Sequence, residues 1–404
     1  MNYTRDDLFS VAKRYNNSKR NYLIVNKKQS KYLPTKPSDT LEMVTTLAKK
    51  AEEVDTDDRI DFEEQTLVIG FAETATALGH LFANHFRKAY YLTTTRENLG
   101  NDKCIEFREE HSHAVEQRLY YGELENAIKN AGSFSQVIFV DDEFTTGNTL
   151  RNLVTELLKA MPALAKCNKF AVTAVDRISS ENRLKLEELG IKVYSLLAFS
   201  DDNFSEQVKH IRVFEPLDTC LKKSETISDF IKQQEVKQGN NARLGFWCSF
   251  GIEERVLARS LYEQYKEEIK NVDKVLVLGT EEFMSVPIYF AREIESHQKK
   301  VVCHSTARSP IGVNNTLAKY PITKGYKLPS FYDVERLSYL YHMEHYDLIF
   351  ILTDSKSIPK ETIKAMSYLM SIYKNYNMFL CACLSYLLGR TGKNSFQIQR
   401  FLSL

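Results

Sequence analysis

The sequence predicts an α/β protein: a parallel sheet with helices on both faces, followed by a second α/β domain. Three observations carry that expectation. Short, nearly all-apolar runs ("TLVIGF", "AYYLTTT", "VIFVDDE", "KFAVTAVD") alternate with stretches of helical period, as strands buried on both faces and their crossover helices do. The chain has 404 residues, more than one core usually supports. The same order of strand-like segments then returns in the second half.

Residues 39–53 read as the first helix. Asp39 and Glu42 have capping-box spacing, and Leu41, Val44, Leu47, Ala48 and Ala51 mark one face. "TLVIGF" is a buried strand, followed by a helix with Leu78, Leu81, Phe82, His85 and Phe86 on one side. "AYYLTTT" is the next strand. "RENLGNDKCIEFREEHSHAVEQ" is polar enough to be expected as a long functional loop. "VIFVDDE" leads into a helix marked by Leu150, Leu153, Val154, Leu157, Leu158 and Met161, and "KFAVTAVD" and "IKVYSLLAF" supply two more strands. From about 201 to 242 the chain turns polar and irregular. The expected division is therefore a first domain at 1–205, a connecting segment at 206–242 and a second domain at 243–404.

A weak internal repeat links the halves. "LVIGFAETATALGHLF" resembles "VLVLGTEEFMSVPIYF", "YYLTTTRENLG" resembles "VCHSTARSPIG", and "VIFVDDE" resembles "IFILTDS". Gly70 then matches Gly279, Glu73 matches Glu282, Arg96 matches Arg308 and Asp142 matches Asp354. The second domain is thus a candidate degenerate copy of the first, with Glu282, Arg308 and Asp354 as its candidate cleft residues. Thr353 stands where the first acid of the pair would be, and "SKSIPKE" lacks the Thr/Gly loop.

Bulk properties exclude some classes. The net charge is +1, from 54 basic and 53 acidic residues, which gives no support to a nucleic-acid coat or a membrane-surface role. The second half has no concentrated basic stretch. The seven cysteines make no CxxC pair or zinc spacing, and reduced thiols in a cytoplasmic protein are the expectation. The first residues lack a signal-like apolar stretch, and "MFLCACLSYLL" is well short of the roughly 20 residues that span a bilayer.

The chemistry concentrates in "VIFVDDEFTTGNT". In open α/β sheets ligands bind beyond the carboxyl ends of the strands, where this segment should sit. Gly147 permits close backbone approach or positive φ. Thr145, Thr146 and Thr149 offer hydroxyls and Asn148 an amide, and the helix that follows favours an anion at its start. Asp141 and Asp142 would repel a phosphate, so they should face sugar hydroxyls or a magnesium ion, which both take carboxylate oxygens. A phosphate at one end of a loop and vicinal hydroxyls at the other describe a ribose 5-phosphate.

That segment resembles the phosphoribosyl pyrophosphate signature of type I phosphoribosyltransferases: four apolar residues, an acidic pair, then a Thr/Gly loop. The resemblance implies a phosphoribosyltransferase-type sheet. Asp141 and Asp142 would hold the ribose, directly or through magnesium; Thr145 to Thr149 would hold the 5-phosphate, and Glu143 is a further substrate-binding candidate. "VIGFAETATALG" stands where the family cradles pyrophosphate, with Ala72, Glu73, Thr74, Ala75 and Thr76 as the loop and Arg96 as the cation. Glu109, His111 and His113 fall where the family keeps a hood over the site, and Asp176 where the accepting base is contacted. "LIVNKKQSKYLPTKP", "GFAETATALG", "EFREEHSHA" and "HSTARSPIG" further resemble the phosphoribosyltransferases of tellurite-resistance-type gene clusters, which carry a C-terminal TRSP domain. Ala307 interrupts the naming motif.

The implied activity is magnesium-dependent transfer of a phosphoribosyl group to a base-like acceptor with release of pyrophosphate, a step of nucleotide metabolism. The alternative is a non-catalytic phosphoribosyl pyrophosphate sensor on the same fold. A phosphatase reading, D-x-D-x-T, is broken by Glu143. The acceptor, the second domain's ligand and the oligomeric state, a homodimer included, stay open.

Overall fold

The computed structural model describes residues 3–17, 20–53, 59–100, 103–108, 116–200, 203–220, 231–238, 241–374 and 377–385. By contacts the chain divides into two compact units: Met1–Leu8, Leu41–Asp202 and Asn241–Glu253 form the first, and Phe9–Thr40, Asn203–Asn240 and Glu254–Leu404 the second. This division differs from boundaries at 205 and 242. The segment 9–40 groups with the second unit, and 241–253 with the first.

The first unit is built on a sheet whose described strands run in the order Phe246–Cys248, Ala89–Thr93, Thr66–Gly70, Gln136–Phe144, Asn168–Asp176, Ile191–Ala198. All neighbours are parallel except the edge strand Phe246–Cys248, which runs antiparallel to Ala89–Thr93. Successive side chains leave a strand on opposite faces. Leu67, Ile69 and Phe139 share one face with Leu150, Leu153, Val154 and Leu157 of the helix Asn148–Ala160. On the other face Tyr91 stacks on His80 of the helix Thr76–Ala83, ring centroids 4.9 Å apart. Helices thus cover both faces, as the apolar runs predicted. The first long helix starts at Pro37, so Asp39 lies in its first turn instead of capping it.

The polar segment after Arg96 is not one loop. Cys104–Arg108 and Glu116–Tyr120 form an antiparallel hairpin with Ile105 opposite Leu119. In "CIEFR" the two apolar residues alternate with charged ones. Ile105 and Phe107 therefore share a face and enter the core with Leu119, while Glu106 on the outer face pairs with Arg118 at 2.9 Å.

The second unit carries an all-parallel sheet in the order Ile231–Gln238, Met378–Ser385, Leu348–Thr353, Lys274–Gly279, Lys300–Ser305. The segment 206–242 is therefore more than a connector, because Ile231–Gln238 is a strand of this sheet. A hairpin, Gly325–Pro329 with Leu337–Tyr341, packs its Tyr326, Leu328 and Leu340 into the same core as Leu276, Leu278 and Ile351. The early residues Ala12, Leu23, Val25 and Tyr32 cluster with Ala307, Ile311 and Tyr341.

The repeat extends to topology. Each unit has a strand ending in glycine, flanked on one side by the next strand in sequence and on the other by the third and then the fourth. Gly70 lies opposite Thr93 and Val140; Gly279 lies opposite Ser305 and Leu352. The helices at Thr76 and Ser285 start at the same spacing from those glycines, as do those at Asn148 and Lys360 from Val140 and Leu352. No described helix is long and apolar enough to cross a membrane, and the seven cysteines form no disulfide with one another.

Candidate active site

Three loops leave the carboxyl ends of neighbouring strands in the first unit, and the site is built from them. The first follows Gly70. A Cβ on Gly79 would stand 2.9 Å from the Gly70 Cα, so the glycine pair lets the helix Thr76–Ala83 lie directly against its strand. Tyr91 closes that contact by donating its hydroxyl to the Thr76 carbonyl at 2.7 Å. A cis peptide joins Ala72 to Glu73. Ala72 is fixed on both sides: its N–H donates to Thr94 Oγ1 at 2.8 Å, and its carbonyl accepts from Gln117 Nε2 at 2.8 Å. The Thr94 hydroxyl donates to Gln117 Oε1 at 2.6 Å, which completes a closed ring of three buried hydrogen bonds. Glu73 is buried and Thr74 half-buried.

The second loop follows Ala89–Thr93. Thr95 exchanges both backbone hydrogen bonds with Arg118, which delivers the half-buried Arg96 just past the strand end.

The third comes from the acidic stretch. The strand does not stop at Val140; it continues to Phe144, and Asp141, Glu143 and Phe144 stay in register with Thr173, Val175 and Asp176. Phe144 anchors this extension by entering the core. Asp142 Oδ1 accepts from Thr74 Oγ1 at 2.7 Å, so the acidic pair and the Ala72–Thr76 loop are directly joined. The Asp142 N–H donates to Asp141 Oδ1 at 2.9 Å. Burial pushes the Asp142 carboxyl above its ordinary range, and the charge of Glu143 adds to that, while the Thr74 bond opposes it. Gly147 takes φ +76, and Thr146 Oγ1 accepts from the Asn148 N–H at 3.2 Å. The helix Asn148–Ala160 begins behind Gly147, an N-cap residue with no side chain to cap it. Its first N–H groups and the half-exposed Thr145, Thr146, Asn148 and Thr149 form the kind of end that takes an anion.

Two further expected ligand residues carry a charged or backbone partner. Glu143 forms a buried ion pair with Arg177. Asp176 takes the Arg183 guanidinium and the Ile178 N–H, the latter at 2.9 Å. Glu109, His111 and His113 lie outside the described residues.

In the second unit the matched edge is polar too, but its centre is Glu281, not Glu282. Glu281 is fully buried and accepts from Arg308 Nε at 2.7 Å, Arg336 at 3.0 Å, Ser338 Oγ at 2.6 Å and the Ser330 hydroxyl. Glu282 lies 3.8 Å from Arg308, and Asp354 accepts from Tyr332 at 2.5 Å. The sequence reading missed Glu281, Arg336 and Gln117. The repeat pointed at the first of these, one residue away.

Residues 8–199 match the family model of a phosphoribosyl transferase, and residues 241–369 match the TRSP domain that follows it in that family. The chain belongs to this phosphoribosyl transferase family. No curated protein sequence matches it. Among solved structures, an adenine phosphoribosyltransferase of Giardia lamblia complexed with 9-deazaadenine is similar at 13% identity, covering 48% of this chain and 94% of its own, with a TM-score of 0.31. That of Thermoanaerobacter pseudethanolicus is 14% identical over 40% of this chain and 81% of its own, TM-score 0.28. At these scores the neighbours add no weight to the family assignment.

Proposed function

We propose that the first unit transfers the phosphoribosyl group of phosphoribosyl pyrophosphate to a nitrogen of a base-like acceptor and releases pyrophosphate. The observation that carries this reading is the Thr74–Asp142 hydrogen bond. It joins a backbone cradle to an acidic pair, at whose other end a helix begins behind a glycine N-cap. A diphosphate, a ribose and a 5-phosphate need those three features side by side.

In the reaction a bond forms from the acceptor nitrogen to the anomeric carbon as the bond from that carbon to the diphosphate oxygen breaks. The diphosphate takes the bonding pair, and the acceptor nitrogen loses a proton. Arg96 and the loop Ala72–Thr76 hold the departing charge. Asp141 and Asp142 fix the ribose hydroxyls, and Thr145 to Thr149 hold the 5-phosphate. Such catalysis is positioning and charge stabilisation.

Among the described residues no group of three His, Cys, Asp or Glu could hold a metal alone. The adjacent carboxylates of Asp141 and Asp142 suit an ion that also takes substrate oxygens, as magnesium usually does. Bound there, magnesium would neutralise the leaving diphosphate.

The test is calorimetric titration with phosphoribosyl pyrophosphate, with and without magnesium, followed by a pyrophosphate-release assay across a panel of purine and pyrimidine bases. Magnesium-dependent binding and release with one base support the transferase. Binding without release for any base supports the sensor instead, and no binding rejects both.

A further inference from the structure

Gln117 answers to none of the roles above, yet it sits at the junction of two of the three loops. It comes from the hairpin strand Glu116–Tyr120, is 1% exposed, and uses both ends of its amide. The oxygen accepts from Thr94 and the nitrogen donates to the Ala72 carbonyl. Since Thr94 in turn accepts from the Ala72 N–H, both peptide groups flanking the Ala72 Cα are held in one orientation. Those groups set the course of the backbone into Glu73 and Thr74.

The second unit shows what happens when this part is exchanged. Thr306 Oγ1 accepts from the Glu281 N–H at 3.1 Å, just as Thr94 does from Ala72. Ala307 pairs with Tyr339 through two backbone bonds, as Thr95 does with Arg118. Register therefore puts Ser338 where Gln117 stands, and Glu281 where Ala72 stands. The long polar side chain has changed sides: Glu281 reaches out to Ser338, and Lys31 Nζ donates to the Glu281 carbonyl at 2.6 Å. The backbone anchor is kept in both units. Only the first leaves the loop residue small and supplies the polar reach from the hairpin.

We infer that Gln117 is a positioning residue for pyrophosphate, holding the Ala72–Thr76 loop in its ligand-ready geometry from the base of the hairpin. This rests on the phosphoribosyl transfer reading. An amide is the side chain that can accept from Thr94 and donate to Ala72 at once. Removing it leaves a buried carbonyl and a buried hydroxyl without their partner.

The experiment is titration of the full chain with magnesium pyrophosphate and, separately, with ribose 5-phosphate. Gln117→Ala weakens pyrophosphate by about tenfold, the loss expected from one buried hydrogen-bonded group, and leaves ribose 5-phosphate unchanged. Gln117→Glu keeps the acceptor for Thr94, but its ionised carboxylate faces the Ala72 carbonyl. Its pyrophosphate affinity, taken relative to the wild type at each pH, recovers as pH falls from about 8 to about 5, because burial at this position raises the carboxyl's hold on a proton, which it can then donate. Equal losses for both ligands, an unchanged pyrophosphate affinity, or a flat ratio for Gln117→Glu overturns the inference. If Gln117→Ala fails to fold, the pH ratio of Gln117→Glu decides. A wild type that binds neither ligand instead rejects the phosphoribosyl reading on which the inference rests.

Discussion

The two units end their separate sheets with matching backbone bonds but place the buried carboxylate differently. Thr94 donates its N–H to the Gly70 carbonyl at 2.9 Å, and Thr306 to the Gly279 carbonyl at 3.1 Å. In the first unit the cation after the second strand is Arg96, and the loop residue matched to Glu281 is Ala72. In the second, Arg308 stands beside Glu281 and is bonded to it. Burial alone would push the Glu281 carboxyl up, but Arg308 and Arg336, with Ser330 and Ser338, outweigh it and hold the group below the usual glutamate range. The second unit thus carries a buried anion at the position where the first has Ala72, and the first loop's own carboxylate, Glu73, comes one residue later. A scaffold can be copied through its backbone while its ligand edge is satisfied from within.

That contrast is broken most severely at Glu281. Removing one partner of a buried ion cluster leaves uncompensated charge, which costs about 3–5 kcal/mol. Glu281→Ala is expected to destabilise the second unit by that amount in urea unfolding, with Arg308 and Arg336 left facing each other. A loss below about 1 kcal/mol, the range of exposed pairs, would show that the cluster is not the edge's organising charge. The same contrast sets stoichiometry: phosphoribosyl pyrophosphate is expected at one site per chain, and two sites by calorimetry would show that Glu281 does not fill the second edge.

How much of this was legible follows the range of each interaction in sequence. The acidic pair and the Thr/Gly loop lie in one short segment, so their chemistry could be read directly. The extension of the strand to Phe144 could not, because its register depends on pairing with Val175 and Asp176. The hairpin was hidden for a different reason. Ile105 and Phe107 are two apolar residues among charges, too few to announce a strand until Leu119 lies opposite. Gln117 bonds Ala72 across 45 residues, and Ser338 reaches Glu281 across 57. A polar residue in a polar segment carries no sign of such a partner.

Asp142 tests the first unit with the next-largest effect. Its carboxyl is raised by burial, so the folded state binds its proton more tightly than the unfolded chain does. Stability tied to this group is therefore present at low pH and is lost as pH rises through the raised value, the reverse of an ion-paired aspartate. Asp142→Asn is expected to hold or raise the thermal midpoint at neutral pH. It should weaken phosphoribosyl pyrophosphate by about 10- to 100-fold, the range for hydrogen bonds to a charged group. In the wild type, affinity should fall with decreasing pH at a point above the usual aspartate range. A variant that melts earlier and binds normally would make Asp142 a structural residue.

The smallest effect separates the two matched arginines. Arg96→Ala removes one charge-assisted contact to pyrophosphate, a loss of about tenfold in affinity, and should leave a 5-phosphate nucleotide bound as before. Arg308→Ala should change neither affinity, since its guanidinium is held by Glu281 and Glu282, and should instead lower the stability of the second unit. The pair of titrations sharpens the comparison because the two positions share a register, while Arg308 is tied to the fully buried Glu281. If Arg308→Ala weakened pyrophosphate as Arg96→Ala does, Glu281 would have to release its arginine when ligand arrives. The second edge would then be a working site with a displaceable carboxylate. If neither substitution mattered, the cradle would rest on backbone N–H groups alone, and the orientation of Ala72 would become the main determinant of affinity.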